Sequence, residues 1–267
     1  MPVKPLLKWV GGKTQILEKV LEAIPECYGT YIEPFVGGGS VLLGVLESGK
    51  IHGHVQASDF NPDLINFYNC VQSDPEAFID ETTRMLSSVE DLQKSYDAER
   101  KTFNNPEVPK SAARFWFINK TCFRGMFRTG PNGYNVPFGH GTLPTLNPEH
   151  VRNVSNLIRN VEFICCSYEQ ALTSVNATDV VYLDPPYLPV NDVSFVGYTE
   201  KGFNADEHAR LFALCKSLPC KFVMSNANVP AIHTAFQDYT IDTIDVRRAI
   251  NAKKPGARTT EVIVHSN

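Results

Sequence analysis

The stretch Val180-Val181-Tyr182-Leu183-Asp184-Pro185-Pro186-Tyr187 constrains the fold of this chain more than any other. Its apolar part suits a buried strand covered on both faces, as the central strands of open α/β sheets are. Pro185 has no backbone N–H and Pro186 cannot rejoin a ladder, so the strand stops at Asp184. Asp184 then lies at the carboxyl end of a central strand, where open α/β sheets place their ligands. The prolines hold nearby carbonyl oxygens in set directions, and Tyr187 adds a flat ring. Carboxylate, fixed carbonyl and stacking face together suit a planar group that carries an amino function.

With 267 residues, the chain has room for one large α/β domain, alone or with an insertion. No apolar run approaches the roughly 20 residues needed to span a bilayer. The first ten residues lack an apolar core of signal-peptide length. The expectation is a cytoplasmic protein with no membrane association. Cys27, Cys70, Cys122, Cys165, Cys166, Cys215 and Cys220 form no metal-ligand spacing, so reduced thiols and no metal are expected.

The net charge of −4 conceals an asymmetry. Residues 108–148 contain no acid but carry Lys110, Arg114, Lys120, Arg124 and Arg128. Residues 246–260 contain Arg247, Arg248, Lys253, Lys254 and Arg258, again without an acid. Two basic stretches on an acidic protein point to a local anionic partner such as nucleic acid. Chance clustering of solvated charges is the alternative.

Gly11-Gly12-Lys13-Thr14 invites a phosphate-loop reading, but that motif needs a glycine where Leu7 stands. A turn before a helix starting near Thr14 explains the glycines and leaves Trp9 and Lys13 over. These two suit a stacking wall and a cation for a carboxylate. Tyr31-Ile32-Glu33-Pro34-Phe35-Val36-Gly37-Gly38-Gly39-Ser40 then makes the strand, glycine turn and helix N-terminus of a first βα unit. The glycines let a ligand approach the backbone. A second strand, 54–58, ends in Asp59, roughly 20 residues past the turn, the spacing at which an acid takes ribose hydroxyls. Capping of the helix begun by Asn61-Pro62-Asp63 is the competing role for Asp59.

Residues 70–102 have an acidic amphipathic helical pattern, and 110–122 are helical again. Pro131-Asn132-Gly133 is a turn between two short extended segments, predicting a hairpin that carries Phe123, Arg124, Met126, Phe127 and Arg128. Arginines grip phosphates or guanine edges, and aromatics or Met wedge into a base stack. The bland alternative packs the hairpin aromatics on the preceding helix. The α/β rhythm returns with a helix at 151–159 and a strand at 161–166. Ser167 and Tyr168 follow at that strand's carboxyl end, facing the same crevice. A loop with Phe195 and Tyr198, a helix at 205–217, a strand at 221–226, a basic loop and a strand at 261–264 complete the chain.

These motifs, in this order, resemble the Dam-type (D12, alpha-class) DNA adenine-N6 methyltransferases. Lys8-Trp9-Val10-Gly11-Gly12-Lys13, the glycine turn, an inserted recognition region and Asp184-Pro185-Pro186-Tyr187 carry the resemblance. Asn135-Val136-Pro137-Phe138-Gly139 matches that group's hairpin end, and Phe195 to Phe203 its post-motif segment. The resemblance implies a Rossmann-like S-adenosylmethionine-dependent catalytic domain, residues 1–69 and 151–267, with a mainly helical target-recognition insertion, 70–150, bearing the hairpin. It implies S-adenosylmethionine bound by Trp9, Lys13, Phe35, Gly37, Gly39, Asp59, Ser167, Tyr168 and Asp184. Catalysis falls to Asp184, Pro185 and Tyr187, and contact with double-stranded DNA to Arg124, Met126, Arg128, Asn135 and Pro137. The implied target is GATC. One departure stands out: Arg124-Gly125 occupies a place where Dam-type enzymes often have Asn-Gly.

The chemistry is consistent from below. The exocyclic amine of adenine is a poor nucleophile because its lone pair is delocalised into the ring. Asp184 and the Pro185 carbonyl suit its two N–H groups, and the base must leave the duplex to reach them. Cytosine-N4 methylation is the nearest alternative, since the same motif serves another exocyclic amine. Glutamine methylation of proteins and a catalytically silent DNA-binding protein are the others. A monomer is expected, with a dimer compatible.

Overall fold

A computed structural model describes residues 3–188, 203–247 and 258–266. Phe195, Tyr198, Arg248, Lys253 and Lys254 lie outside the described residues. Among the described residues, seven strands form one sheet: β1 (Tyr31–Glu33), β2 (Val55–Asp59), β5 (Val161–Cys165), β6 (Val180–Leu183), β7 (Lys221–Ala227), β8 (Thr240–Arg247) and β9 (Arg258–His265). Their order is β5-β2-β1-β6-β7-β9-β8. The first five are parallel, while β9 runs antiparallel to β7 and β8 antiparallel to β9. β6 is thus the middle strand, and all four of its residues are buried, as its apolar run predicts.

The chain leaves β1 toward β2 and β5, then returns on the other side as β6. The two winding directions part between β1 and β6, so a crevice opens at their carboxyl ends. Period-two alternation splits the strands between two cores. Tyr31, Val180 and Tyr182 face one; Ile32, Val181 and Leu183 face the other.

On the first face lie α1 (Leu17–Ala23), α2 (Ser40–Ser48) and α3 (Pro62–Ser73). α1 starts later than the predicted Thr14, because residues 13–16 form a turn closed by Ile16 N–H on the Lys13 carbonyl. The helical pattern at 70–102 is three helices: the end of α3, α4 (Pro75–Ser87) and α5 (Leu92–Phe103). Asp74 and Asp91 cap α4 and α5 with their side chains, each accepting a backbone N–H that a helix start leaves unpaired. α6 (Ala112–Thr121) is buried on most sides, and β3 (Thr129–Gly130) with β4 (Gly133–Tyr134) forms a hairpin at the predicted turn. Phe123–Gly125 make a short 3-10 turn before it and 126–128 lead into it, so the expected side chains stand at its approach and not on its strands. Tyr96, Phe103, Phe115, Trp116 and Tyr134 from this region join the same core as α2 and α3. α7 (Pro148–Leu157) leads back to β5, and α8 (Tyr168–Ala171), α9 (Ala205–Ser217) and α10 (Pro230–Ala235) complete the helices.

Candidate active site

The crevice between β1 and β6 collects residues from several distant parts of the chain. Asp184 follows β6, and its carboxylate lies 2.7 Å from Lys13 Nζ. Lys13 is 4% exposed, although its side chain comes from the N-terminal Gly-Gly turn. Its backbone N–H donates to Ser40 Oγ, which ties that turn to the start of α2. Its ammonium also donates to the Gly11 carbonyl and lies 4.7 Å from the centre of the Tyr187 ring. The carboxylate that Lys13 reaches is therefore the one in Asp184-Pro185-Pro186-Tyr187. A fifth of the Asp184 side chain is exposed, and burial of the rest raises its pKa to about 6 against the opposing pull of Lys13.

Behind this pair sits Glu33, 2% exposed and receiving the Tyr31 hydroxyl at 2.8 Å. Burial raises its pKa to about 8, with the Asp184 charge acting in the same direction. At neutral pH it is mostly protonated, so Lys13 faces one anion. No sequence motif marks a role for Glu33; its place inside a short apolar strand beside a glycine turn is the available signal.

The two prolines separate two carbonyls. That of Pro186 accepts from His208 Nε2 at 2.9 Å, while no donor among the described residues reaches that of Pro185. Beyond them, Leu188 N–H donates to Asn226 Oδ1 at 3.2 Å and Tyr187 donates its hydroxyl to Glu261 at 2.9 Å.

The glycine turn makes room chiefly for protein. A Cβ on Gly37 or Gly38 would lie 2.9 or 2.7 Å from Trp9 side-chain atoms. One on Gly39, at φ +75°, would lie 2.7 Å from the Tyr68 hydroxyl, which donates to the Gly37 carbonyl. The Asp59 carboxylate accepts Gly37 N–H at 3.1 Å and Asn61 N–H at 3.0 Å. Burial raises its pKa to about 6, opposed by those hydrogen bonds. Asp59 is not the cap of α3; that is Asn61, whose side chain accepts from Asp63 and Leu64 N–H. Phe60, next to Asp59, is 71% exposed, a large aromatic left open beside the acid that the sequence reading passed over. Phe35 stacks on Tyr168 at 5.6 Å and meets Phe203 edge-on at 6.1 Å, forming an aromatic wall. Ser167 caps α8 in a reciprocal capping box with Gln170, a Ser-x-x-Gln pattern visible in the sequence.

The hairpin divides its side chains. Phe127 stacks on Trp9 at 6.2 Å and packs against Phe115 and Tyr134, as the bland alternative expected. Phe123 is 41% exposed, with the Arg124 guanidinium 4.9 Å from its ring. Arg124 itself is left-handed at φ +59°, where Asn is better tolerated than Arg. Arg128 Nε donates to Asn135 Oδ1 at 2.7 Å, so these two form one unit at the hairpin base. Met126 is half-buried and its carbonyl accepts from the Tyr134 hydroxyl; Pro137 is exposed, and its carbonyl accepts Phe123 N–H. Asn119 bonds both the N–H and the carbonyl of Lys8, at 2.9 and 2.7 Å, fastening the N-terminal motif to α6.

Comparison with known proteins decides what this assembly belongs to. The model of the D12 class N6 adenine-specific DNA methyltransferases matches residues 9–250. The chain belongs to that family. It is 36% identical to the type II methyltransferase M.MjaIII of Methanocaldococcus jannaschii, over 95% of this chain and 94% of that protein. It is 32% identical to the type II methyltransferase M1.LlaDCHI of Lactococcus lactis subsp. cremoris, over 98% and 95%. The DNA adenine methylase of Escherichia coli K12 is 28% identical over 93% and 90%. The chain is an adenine-specific DNA methyltransferase with a Rossmann-like sheet, which sets aside the cytosine-N4, glutamine and silent readings. DNA is its substrate and its methyl donor is of the S-adenosylmethionine type. Among the described residues no helix is long and apolar enough to cross a membrane, and no cluster of His, Cys, Asp or Glu could hold a metal.

Proposed function

We propose that this chain transfers a methyl group from S-adenosylmethionine to N6 of an adenine flipped out of duplex DNA, at the crevice between β1 and β6. The observation that carries the reading is the Lys13–Asp184 pair beside the Pro185 carbonyl, which accepts from no donor among the described residues, at the sheet's switch point.

The residues present fit the cofactor. Asp59 suits a ribose diol, exposed Phe60 an adenine face, and Lys13 with Trp9 a carboxylate-bearing end. Gly37 and Gly39 keep the turn's backbone close, and Phe35, Tyr168 and Ser167 close the far side. Bound there, the cofactor supplies a methyl group on a positively charged sulfur.

The chain's own residues orient and activate the amine. Lys13 holds one oxygen of Asp184, leaving the other to accept one N–H of the adenine amine. The Pro185 carbonyl accepts the second. Both hydrogen bonds draw the lone pair out of the ring and point it at the donor, in a site where fixed dipoles need not reorganise. Tyr187 stacks on the base. Once methylated, the nitrogen becomes acidic, and Asp184 is the base placed to take its proton.

Recognition falls to residues 70–150, read as the target-recognition insertion. Arg128, oriented by Asn135, reads a base edge near Pro137. Phe123 is the exposed aromatic and thus the wedge, with Arg124 and Met126 lining the vacated space. The proposed target is GATC. Methylating random-sequence duplexes with labelled cofactor and mapping each modified base tests this: N6-methyladenine within GATC is expected, and methylation confined to another context removes that target.

A further inference from the structure

We infer that Glu261 is a positioning residue for the methylation site, holding the Tyr187 ring in its stacking orientation from the far end of the chain. This rests on the reading of Asp184 to Tyr187 as the adenine site.

The sheet's topology makes the arrangement available. β9 runs antiparallel to β7, with Glu261 opposite Ala227 and Val262 opposite Asn226. An antiparallel strand starts where its parallel neighbours end, so the first residues of β9 lie at the same edge as Asp184 and the crevice. Glu261 thereby reaches a tyrosine that lies 74 positions earlier, at 2.9 Å from its hydroxyl.

Tyr187 is otherwise exposed to reorientation. It follows two prolines and leaves the sheet, with no strand ladder to fix it. Beside its packing on the second core, three polar contacts among the described residues hold it. Asn226 Oδ1 accepts the next residue's N–H at 3.2 Å, which sets the backbone. Lys13 Nζ lies over one face of the ring at 4.7 Å. Glu261 holds the hydroxyl end. Burial, then the nearby carboxylates of Asp184 and Glu261, hold the phenol well above its usual range, so it keeps its proton and donates. An acceptor at the ring's rim sets the ring plane, and the ring plane sets where a flipped base can stack. Glu261 touches neither amine nor methyl donor in this scheme and acts through Tyr187.

The test uses full-length protein, S-adenosylmethionine and duplex DNA containing the mapped target with 2-aminopurine at the methylated position for fluorescence, or adenine for transfer. Glu261→Ala is expected to lower the single-turnover rate about tenfold or more, as losing a hydrogen bond to a charged group allows. Cofactor affinity should stay near wild type, and the steady-state 2-aminopurine signal should change because the extruded base stacks differently. Glu261→Gln keeps an oxygen acceptor for the hydroxyl and is expected to restore the rate to within a few-fold. Tyr187→Phe should match Glu261→Ala, and the double variant should be no slower than either, the sign that both changes remove one interaction. A wild-type rate and fluorescence in Glu261→Ala would overturn the inference, as would additive losses in the double variant. Glu261→Gln as slow as Glu261→Ala would overturn it in favour of a proton-carrying role. Should Glu261→Ala fail to fold, Glu261→Met, which fills the space without an oxygen acceptor, takes its place in the same cycle with Tyr187→Phe. If wild type leaves adenine unmethylated, the underlying reading fails, a result distinct from all of these.

Discussion

The crevice and the hairpin hold their charges in opposite ways. At the crevice, Lys13, Glu33 and Asp184 come from three chain segments, and burial raises both carboxyl pKa values. At the hairpin, Arg124 and Arg128 stand on an outer element whose root, Phe127, is anchored on Trp9. Buried charges need partners on every side, which makes them costly to change but well suited to fix a reacting atom. Exposed charges cost little and can be exchanged, which suits reading a sequence. On the proposed assignment this is a division of labour: chemistry is placed where desolvation tunes a group, and choice of target where it does not.

The largest break in that comparison is Asp184→Ala. Methyl transfer should fall by about 10²–10³-fold or more, as loss of a preorganised polar partner does. Lys13 also loses its buried counter-ion, at a cost of about 3–5 kcal/mol. Thermal unfolding measured beside single-turnover rates separates the two effects, and an active variant would break the catalytic assignment.

Phe127→Ala and Phe123→Ala sharpen the contrast within the hairpin. The first should destabilise by about 2–3 kcal/mol, less than a full core deletion because the ring is partly exposed. The second should leave stability within about 0.5 kcal/mol and weaken base extrusion. Urea unfolding and 2-aminopurine fluorescence check them; reversed results would exchange anchor and wedge. Arg128→Ala should relax discrimination among duplexes by about 1–3 kcal/mol, measured by competition between target and single-base variants.

The smallest expected effect is on pH-dependent stability. Glu33 is raised from 4.5 to about 8, so the fold favours its protonated form. That stabilisation is complete below about pH 4.5 and is lost as pH rises through about 8. Glu33→Gln should therefore melt higher than wild type at pH 9, by about 2–4 °C per kcal/mol recovered, with the gap closing toward pH 5. Activity is expected to run the other way, rising with pH through about 6 as Asp184 ionises, which single-turnover rates across about pH 5 to 8 check.

Much of the fold was legible. An unbroken apolar run announced the middle strand, and Pro-Asn-Gly announced the hairpin. The Asp59 spacing placed an acid beside the glycine turn, and the structure shows it bonded to Gly37 N–H. What stayed hidden depended on register and facing. Glu261 reaches the crevice only because β9 is antiparallel, which no local pattern states. Phe123 and Phe127 differ by four positions and look alike in sequence, yet the irregular turn between them sends one outward and lays the other against the core. β8 went unread although Thr240, Ile241, Thr243, Ile244 and Val246 supply its β-branched side chains, because its acids at 242 and 245 masked the alternation.

The most direct test is a structure of the complex with duplex DNA containing the mapped target and a non-reactive analogue of the methyl donor. The account predicts an extruded adenine whose amine lies about 3 Å from the Asp184 carboxylate and the Pro185 carbonyl, with its ring on Tyr187. An adenine still stacked in the duplex, or an amine directed at other residues, would contradict it.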